Sequence, residues 1–181
     1  MPALADPDVR VHASFLRAMD GFVAEGRGGP ADLSMIGRDL REWGSRWQDP
    51  HVFAAYVDAV RAQRLEETPR PSTFVPTTTL WWVEGREYLG RVQLRHRLTD
   101  SLLQEGGHIG YDVAPAHRRK GHATAMLRAM LPRCARDHGL ERVLITCDTD
   151  NVASRKVIEA CGGVFEDQRR GKLRYWVPTT L

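Results

Sequence analysis

The stretch Gly107-His108-Ile109-Gly110-Tyr111-Asp112-Val113-Ala114-Pro115-Ala116-His117-Arg118-Arg119-Lys120-Gly121-His122-Ala123-Thr124 reads as a strand, a tight turn and the opening of a helix. His108 to Val113 is short and rich in β-branched and aromatic residues, the composition of a strand. Ala114-Pro115 ends it, because proline carries no ladder N–H and restrains the residue before it. Three consecutive cations, Arg118, Arg119 and Lys120, precede Gly121, and beyond Gly121 apolar residues recur at helical spacing. The first-turn N–H groups of a helix have no intrahelical partner and carry partial positive charge. A glycine beside them lets an anion come close to the backbone. The physical reading is a polyphosphate cradle at a strand-to-helix junction. The blander reading of the same residues is a solvated cationic turn.

Downstream, Met126, Leu127, Met130, Leu131 and Cys134 form one stripe of the helix, with Pro132 predicting a kink and Gly139 the end. Arg142 to Cys147 is a buried-type strand. Asp148 to Asn151 turns into a helix with Val157, Ile158 and Cys161 inward, stopped by Gly162-Gly163. Val164 to Glu166 and Leu173 to Val177 read as a closing pair of strands. Upstream, Thr77–Glu84 and Tyr88–Arg95 flank Gly85-Arg86 as a hairpin, and Thr99–Gly106 reads as a loop. Earlier still the period is helical. Phe15, Leu16, Met19, Phe22 and Val23 mark one helix, and residues 31–47 hold a short one. Asp49-Pro50 opens a third that runs to about Arg64. Residues 1–10 read as loose and Thr68–Pro76 as a loop. Helices followed by β-β-β-α-β-α-β-β predict an α/β (α+β) fold: a mixed sheet with helices on its faces. The expectation is one domain over 1–181, with a helical N-terminal portion (1–68) and a ligand-binding core (77–177).

Composition narrows the function. A net charge of +3 over 181 residues gives no argument for a nucleic-acid partner. Most basic residues are arginine, which a GC-rich genome explains more simply than a phosphate-binding surface. Cys134, Cys147 and Cys161 are odd in number and lack metal-ligand spacing, so reduced thiols, no metal and a cytoplasmic setting are expected. No apolar run is long enough to span a bilayer. Neither Gly-x-x-x-x-Gly-Lys-Ser/Thr nor a Gly-x-Gly-x-x-Gly after a strand occurs, which argues against a nucleotide-phosphate binder.

Arg118-x-x-Gly121-x-Ala123, directly after a strand and opening a long helix, resembles the acetyl-CoA signature of the GNAT superfamily of N-acyltransferases. The strand-to-helix turn at Asn151-x-x-Ser154 some thirty residues later is similar as well. So are Gly-Gly-His-Ile-Gly-Tyr, Asn-Val-Ala-Ser-Arg-Lys-Val-Ile-Glu and the terminal Arg-Tyr-Trp-Val, which look like a bacterial GNAT subgroup of predicted acetyltransferases with a helical N-terminal portion. The resemblance implies a mostly antiparallel GNAT-like sheet and a reaction: direct attack of an amine on the acetyl carbonyl of acetyl-CoA, through a tetrahedral intermediate. It implies that backbone N–H groups from Arg118, Arg119, Lys120, Gly121, His122, Ala123 and Thr124 bind the pyrophosphate. Val113 would extend its backbone along the pantetheine arm and face the thioester oxygen, in a gap between the 108–113 and 142–147 strands. Asn151 would hydrogen-bond the pantetheine, with Ser154 one turn further on the same face.

One position departs from the resemblance. Many members carry a tyrosine seven residues after the Asn151 position, as the acid for the leaving thiolate; here it is Ile158. A thiol of pKa about 8.5 leaves tolerably without an acid, and Ser154, a water or Tyr175 are the substitutes. The base is open among His96, Glu105, His108 and Asp112, of which His108 and Asp112 share strand parity opposite to Tyr111 and Val113. Asn151 also reads as a plain helix cap, and Trp43, Trp47, Tyr56, Trp81 and Trp82 as core or lid packing. The expected acceptor is a primary amine, of a small molecule in preference to a protein, in a pocket built from the N-terminal helices and the 99–106 loop. The rival expectation is a non-catalytic acyl-CoA-binding sensor, kept alive by Ile158. Edge strands near Leu173–Val177 are compatible with a homodimer.

Overall fold

The computed structural model describes residues 1–180. Over these residues the chain forms β1 (Ala3–Ala5), α1 (His12–Ala24), α2 (Met35–Glu42), α3 (Pro50–Ala62), β2 (Thr77–Glu84), β3 (Glu87–Arg95), β4 (Ile109–Val113), α4 (His122–His138), β5 (Arg142–Asp148), α5 (Val152–Ala160), β6 (Val164–Arg169) and β7 (Lys172–Pro178). The seven strands make one sheet in the order β1-β2-β3-β4-β5-β7-β6. Every neighbouring pair is antiparallel except β4–β5. This is the mixed sheet with flanking helices that the element order predicts, with the mostly antiparallel pairing that the resemblance implies.

Three expectations are corrected. Residues 1–10 are not loose throughout: Ala3–Ala5 pairs with Trp81–Val83 as an edge strand, satisfying the outer backbone of β2. The 99–106 segment winds into a helical turn at Leu102–Gly106. Leu173–Val177 is not at an edge, because β7 lies between β5 and β6, and β6 is the edge strand. The helix α4 runs through Pro132 to His138 and stops at left-handed Gly139.

Alternation along the strands splits the core in two. Trp81 and Trp82 are neighbours on β2 and point to opposite faces. Leu80, Trp82, Val92, Leu94, Ile109, Val143 and Ile145 pack against Met126, Met130 and Cys134 of α4 and Ile158 of α5. Trp81, Val83 and Tyr88 pack on the other face against α1, α2 and α3. Phe15, fully buried, sits at the centre of that second core with ring centroids 5.0 to 5.6 Å from Trp47, Phe53, Tyr56, Trp81 and Tyr88. Burial of each such ring contributes on the order of 2 kcal/mol. The aromatics therefore fill the core, as expected. Buried Arg91 of β3 donates to Asp39 of α2 at 2.6 Å and to the Tyr56 hydroxyl of α3 at 3.3 Å, fastening the helical layer to the sheet. No helix among the described residues is long and apolar enough to cross a membrane.

Candidate active site

The site begins with a strand pair that parts. β4 and β5 meet at a single parallel bridge, Ile109–Ile145, and have no further paired residues. The pairing of β4 with β3 shows which backbone groups then face the opening. Arg95 N–H donates to His108 C=O and Ala114 N–H to Leu89 C=O, so the even-numbered residues of β4 bond β3. In an antiparallel ladder the alternate residues direct N–H and C=O the other way. Tyr111 and Val113 therefore present their backbone to the gap. At the closed end, Gly107 takes φ 64°, and a Cβ there would lie 2.5 Å from Leu144 O; no other residue type fits so near the β5 backbone.

His108 pins the same end. Its ring is 5% exposed, and Nδ1 accepts the Leu144 N–H at 2.9 Å. Burial, with Arg95 nearby, pushes its pKa down to about 4. A neutral imidazole with its lone pair spent on β5 holds two strands together and has no free base at Nδ1. His96 is further away: it follows the C-terminal end of β3, whereas Val113 pairs with Gly90 near the other end. There His96 meets the Thr78 hydroxyl at 2.8 Å and packs against the His138 ring, with centroids 4.1 Å apart and the planes tilted by 43°. The structure does not bring His96 to the gap. The Glu105 carboxylate pairs with Arg170 at 3.0 Å, and the Tyr175 hydroxyl donates to Glu159 at 3.3 Å.

Past Val113 the chain makes a short 3₁₀ turn at Pro115–His117 and enters α4. Arg119 (φ 63°) and Gly121 (φ 80°) are both left-handed, and a Cβ on Gly121 would meet nothing within 4 Å. Gly121 caps α4 with no side-chain bond, and the Ala125 N–H to Gly121 C=O begins the helical ladder. The N–H groups of His122, Ala123 and Thr124 thus stand before that ladder, around an open, glycine-lined space. Arg118 is committed elsewhere. Its backbone N–H donates to Pro115 O, and its guanidinium forks onto Glu25 at 2.6 and 2.9 Å and donates to Val113 O at 3.2 Å. The His122 ring accepts from the Trp82 indole at 3.2 Å.

The second junction, β5 into α5, is built from side chains. Asn151 Oδ1 accepts the Ser154 N–H at 3.0 Å, so the cap reading holds and the Asn151 amide N–H₂ stays available. The Ser154 hydroxyl lies 2.8 Å from the Tyr111 hydroxyl. Tyr111, on the same face of β4 as Val113, is the neighbour that sequence reasoning missed, although strand parity pairs it with Val113.

On the opposite face Asp112 points toward the α1–α2 connection. Its side chain is 18% exposed, and Arg27 Nη1 lies 3.4 Å away. Burial pushes its pKa up, with Arg91 and Arg27 pulling the other way. Arg27 also donates to Asp32 and to Ser34. Although burial opposes it, hydrogen bonds from Ser34, Gly28 and Arg27 hold the Asp32 carboxyl well below the usual carboxylate range. Arg27, Asp32 and Ser34 therefore brace the wall beside Asp112.

Residues 34–164, well over half of the chain, match the family described as the acetyltransferase (GNAT) domain. The chain belongs to the GNAT acetyltransferase family. Solved structures agree in fold. Mycobacterium smegmatis RimJ in complex with CoA-disulfide matches with a TM-score of 0.66 at 18% identity, over 98% of this chain and 81% of that one. The microcin C7 self-immunity acetyltransferase MccE, in complex with acetyl-CoA and AMP, gives 0.63 at 13% identity, over 98% and 92%. The PaiA N-acetyltransferase of Thermoplasma acidophilum, in complex with coenzyme A, gives 0.60 at 10% identity, over 98% and 99%. No curated protein matches the chain by sequence. As a GNAT acetyltransferase, the chain keeps Ile158 in the core, fully buried among α4 and sheet residues.

Proposed function

We propose that this GNAT chain transfers the acetyl group of acetyl-CoA to a primary amine of a small molecule, in the cytoplasm. The observation that carries the reading is the parting of β4 from β5 with the Val113 N–H directed into the gap. The gap offers strand-like backbone to a ligand that itself contains amides. The open space at Gly121, with its unpaired N–H groups, suits the pyrophosphate. The residues that fit the cofactor are Arg119 to Thr124 by backbone, Val113 by backbone, Asn151 by its amide and Ser154 by its hydroxyl. When bound, acetyl-CoA supplies the acyl group as a thioester. The Val113 N–H then faces the carbonyl oxygen where negative charge develops.

Asp112 is the base of this proposal. It neighbours Val113 in sequence and points to the α1–α2 side, where an amine can approach opposite Ser154. A carboxyl raised by burial is better matched to accept a proton near neutrality. The Asp112 carboxylate takes the proton of the attacking nitrogen and passes it to solvent. The loop from Arg27 to Ser34, braced beside Asp112, would border the acceptor on this side, which favours a small amine.

Calorimetric titration of acetyl-CoA and CoA, followed by thiol release against a panel of amines, tests the reading. Micromolar binding with release is expected; saturable binding without release over a broad panel would favour the sensor. Asp112→Asn should lower kcat/KM for the amine about 100-fold and leave the acetyl-CoA dissociation constant unchanged. An unaltered rate would remove Asp112 from the chemistry.

A further inference from the structure

We propose that Tyr111 is a positioning residue for the leaving thiolate: its hydroxyl donates to Ser154 Oγ and turns the serine proton toward the sulfur in the β4–β5 gap. The inference rests on the acetyl-CoA reading above.

The argument starts from hydrogen-bond bookkeeping. The Tyr111 hydroxyl lies 2.8 Å from Ser154 Oγ and 3.3 Å from Ser154 O. The tyrosine has one proton to give. Ser154 O already accepts in the ladder of α5, and at 2.8 Å either hydroxyl could donate to the other; in this proposal the tyrosine proton goes to the shorter contact, Oγ. The Ser154 backbone N–H is spent on Asn151 Oδ1. With Tyr111 donating, the serine lone pair is occupied and its own O–H is released in another direction. The two hydroxyls arise from β4 and from α5, the two elements that border the gap. Tyr111 therefore reaches across it from the strand that carries Val113.

Burial pushes the Tyr111 phenol up, so the ring stays protonated and keeps donating through the neutral range. That also excludes Tyr111 as a net proton source for a thiolate of pKa about 8.5. Its part is to orient. As the carbon–sulfur bond breaks, the electron pair goes to sulfur and the Ser154 O–H hydrogen-bonds to it. The amine proton leaves by Asp112, and the thiolate gains its proton from solvent after release. Ile158, buried behind α5, has no such group to offer. A hydroxyl pair contributed by β4 and α5 fills that role one turn before Ile158 on the same helix.

The test uses the intact protein with free CoA. The thiolate absorbance of bound CoA is titrated as a difference against the protein alone. Burial pushes the thiols of Cys134, Cys147 and Cys161 upward, so they stay silent in the window. The bound thiol is expected at about 7.5 in the native protein, about 8 in Tyr111→Phe and about 8.5 in Ser154→Ala. Tyr111→Phe should lower kcat about fivefold with KM for acetyl-CoA unchanged, and should add nothing to Ser154→Ala in the double variant. A native bound-thiol pKa in Tyr111→Phe, or additive losses, would overturn the proposal. Absence of CoA binding by the native protein would instead overturn the acetyl-CoA reading, so the two failures are told apart.

Discussion

The chain enters a helix from a parallel-paired strand twice, and the two junctions are built on opposite plans. Between β4 and α4 backbone makes the helix start: two left-handed residues, one of them the glycine cap, and no side chain bonded to the first-turn N–H groups. Between β5 and α5 a side chain closes the helix, with Asn151 Oδ1 taking the Ser154 N–H. The difference decides what each end can bind. An uncapped first turn keeps its N–H groups and its share of the helix dipole for an anion. A capped turn has satisfied its donor internally and offers side-chain groups instead, an amide and a hydroxyl. The same topological step thus gives a phosphate site once and a site for neutral polar ligand groups once.

The comparison breaks most visibly at Gly121. Gly121→Asp adds a carboxylate to the open space and forces a β-carbon onto a left-handed residue. The dissociation constant for CoA should rise at least about 100-fold. An unchanged constant by calorimetry would show that the first junction binds no phosphate, and the contrast between the two junctions would lapse.

The closed end of the β4–β5 pair supplies a second test. His108 stays neutral in the fold because its pKa is held at about 4, against an ordinary value of 6.5. Between these values the unfolded chain binds more protons than the native one, so stability falls as pH drops through that window. The contribution lost by pH 4.5 is on the order of 2 kcal/mol. His96, also pushed down to about 4, acts in the same direction. Urea denaturation at pH 7 and 4.5 should show His108→Gln losing less stability on acidification than the native chain, with His96→Gln as the comparison. Equal acid sensitivity of His108→Gln and native protein would detach the strand clip from the imidazole.

What could be read in the sequence follows from how local the cause is. The strand at 109–113, its parity, the glycine before α4 and the Asp49-Pro50 start of α3 depend on residues within a turn or two of one another. Those positions carried the fold and the outline of the cradle. Other features depend on partners far apart in the chain. The Ala3–Ala5 strand exists because β2 has an open edge some 75 residues away. Arg118 looks like a phosphate ligand until Glu25, 93 residues earlier, takes its guanidinium. His108 looks like a base on a strand until the Leu144 N–H takes its lone pair. Nothing in local spacing reports such pairings. The Tyr111–Ser154 contact was half legible: parity placed the tyrosine beside Val113, but only the docking of α5 beside β4 brings the hydroxyls together.

The smallest effect is expected at the second junction, and it divides two roles that one residue combines. Asn151 caps α5 with its oxygen, which leaves its N–H₂ for a ligand carbonyl. Asn151→Ala removes both, and should cost about 1 kcal/mol of stability and raise the Michaelis constant for acetyl-CoA about fivefold, with turnover little changed. Asn151→Asp keeps the capping oxygen and loses the donor. Stability should therefore return to the native value in the aspartate variant while the Michaelis constant stays high. If both return, Asn151 is a cap and nothing more, and the second junction binds through Ser154 alone. If turnover falls and the Michaelis constant does not move, the amide acts on the reacting atoms, and the side-chain-built junction belongs to the chemistry rather than to binding.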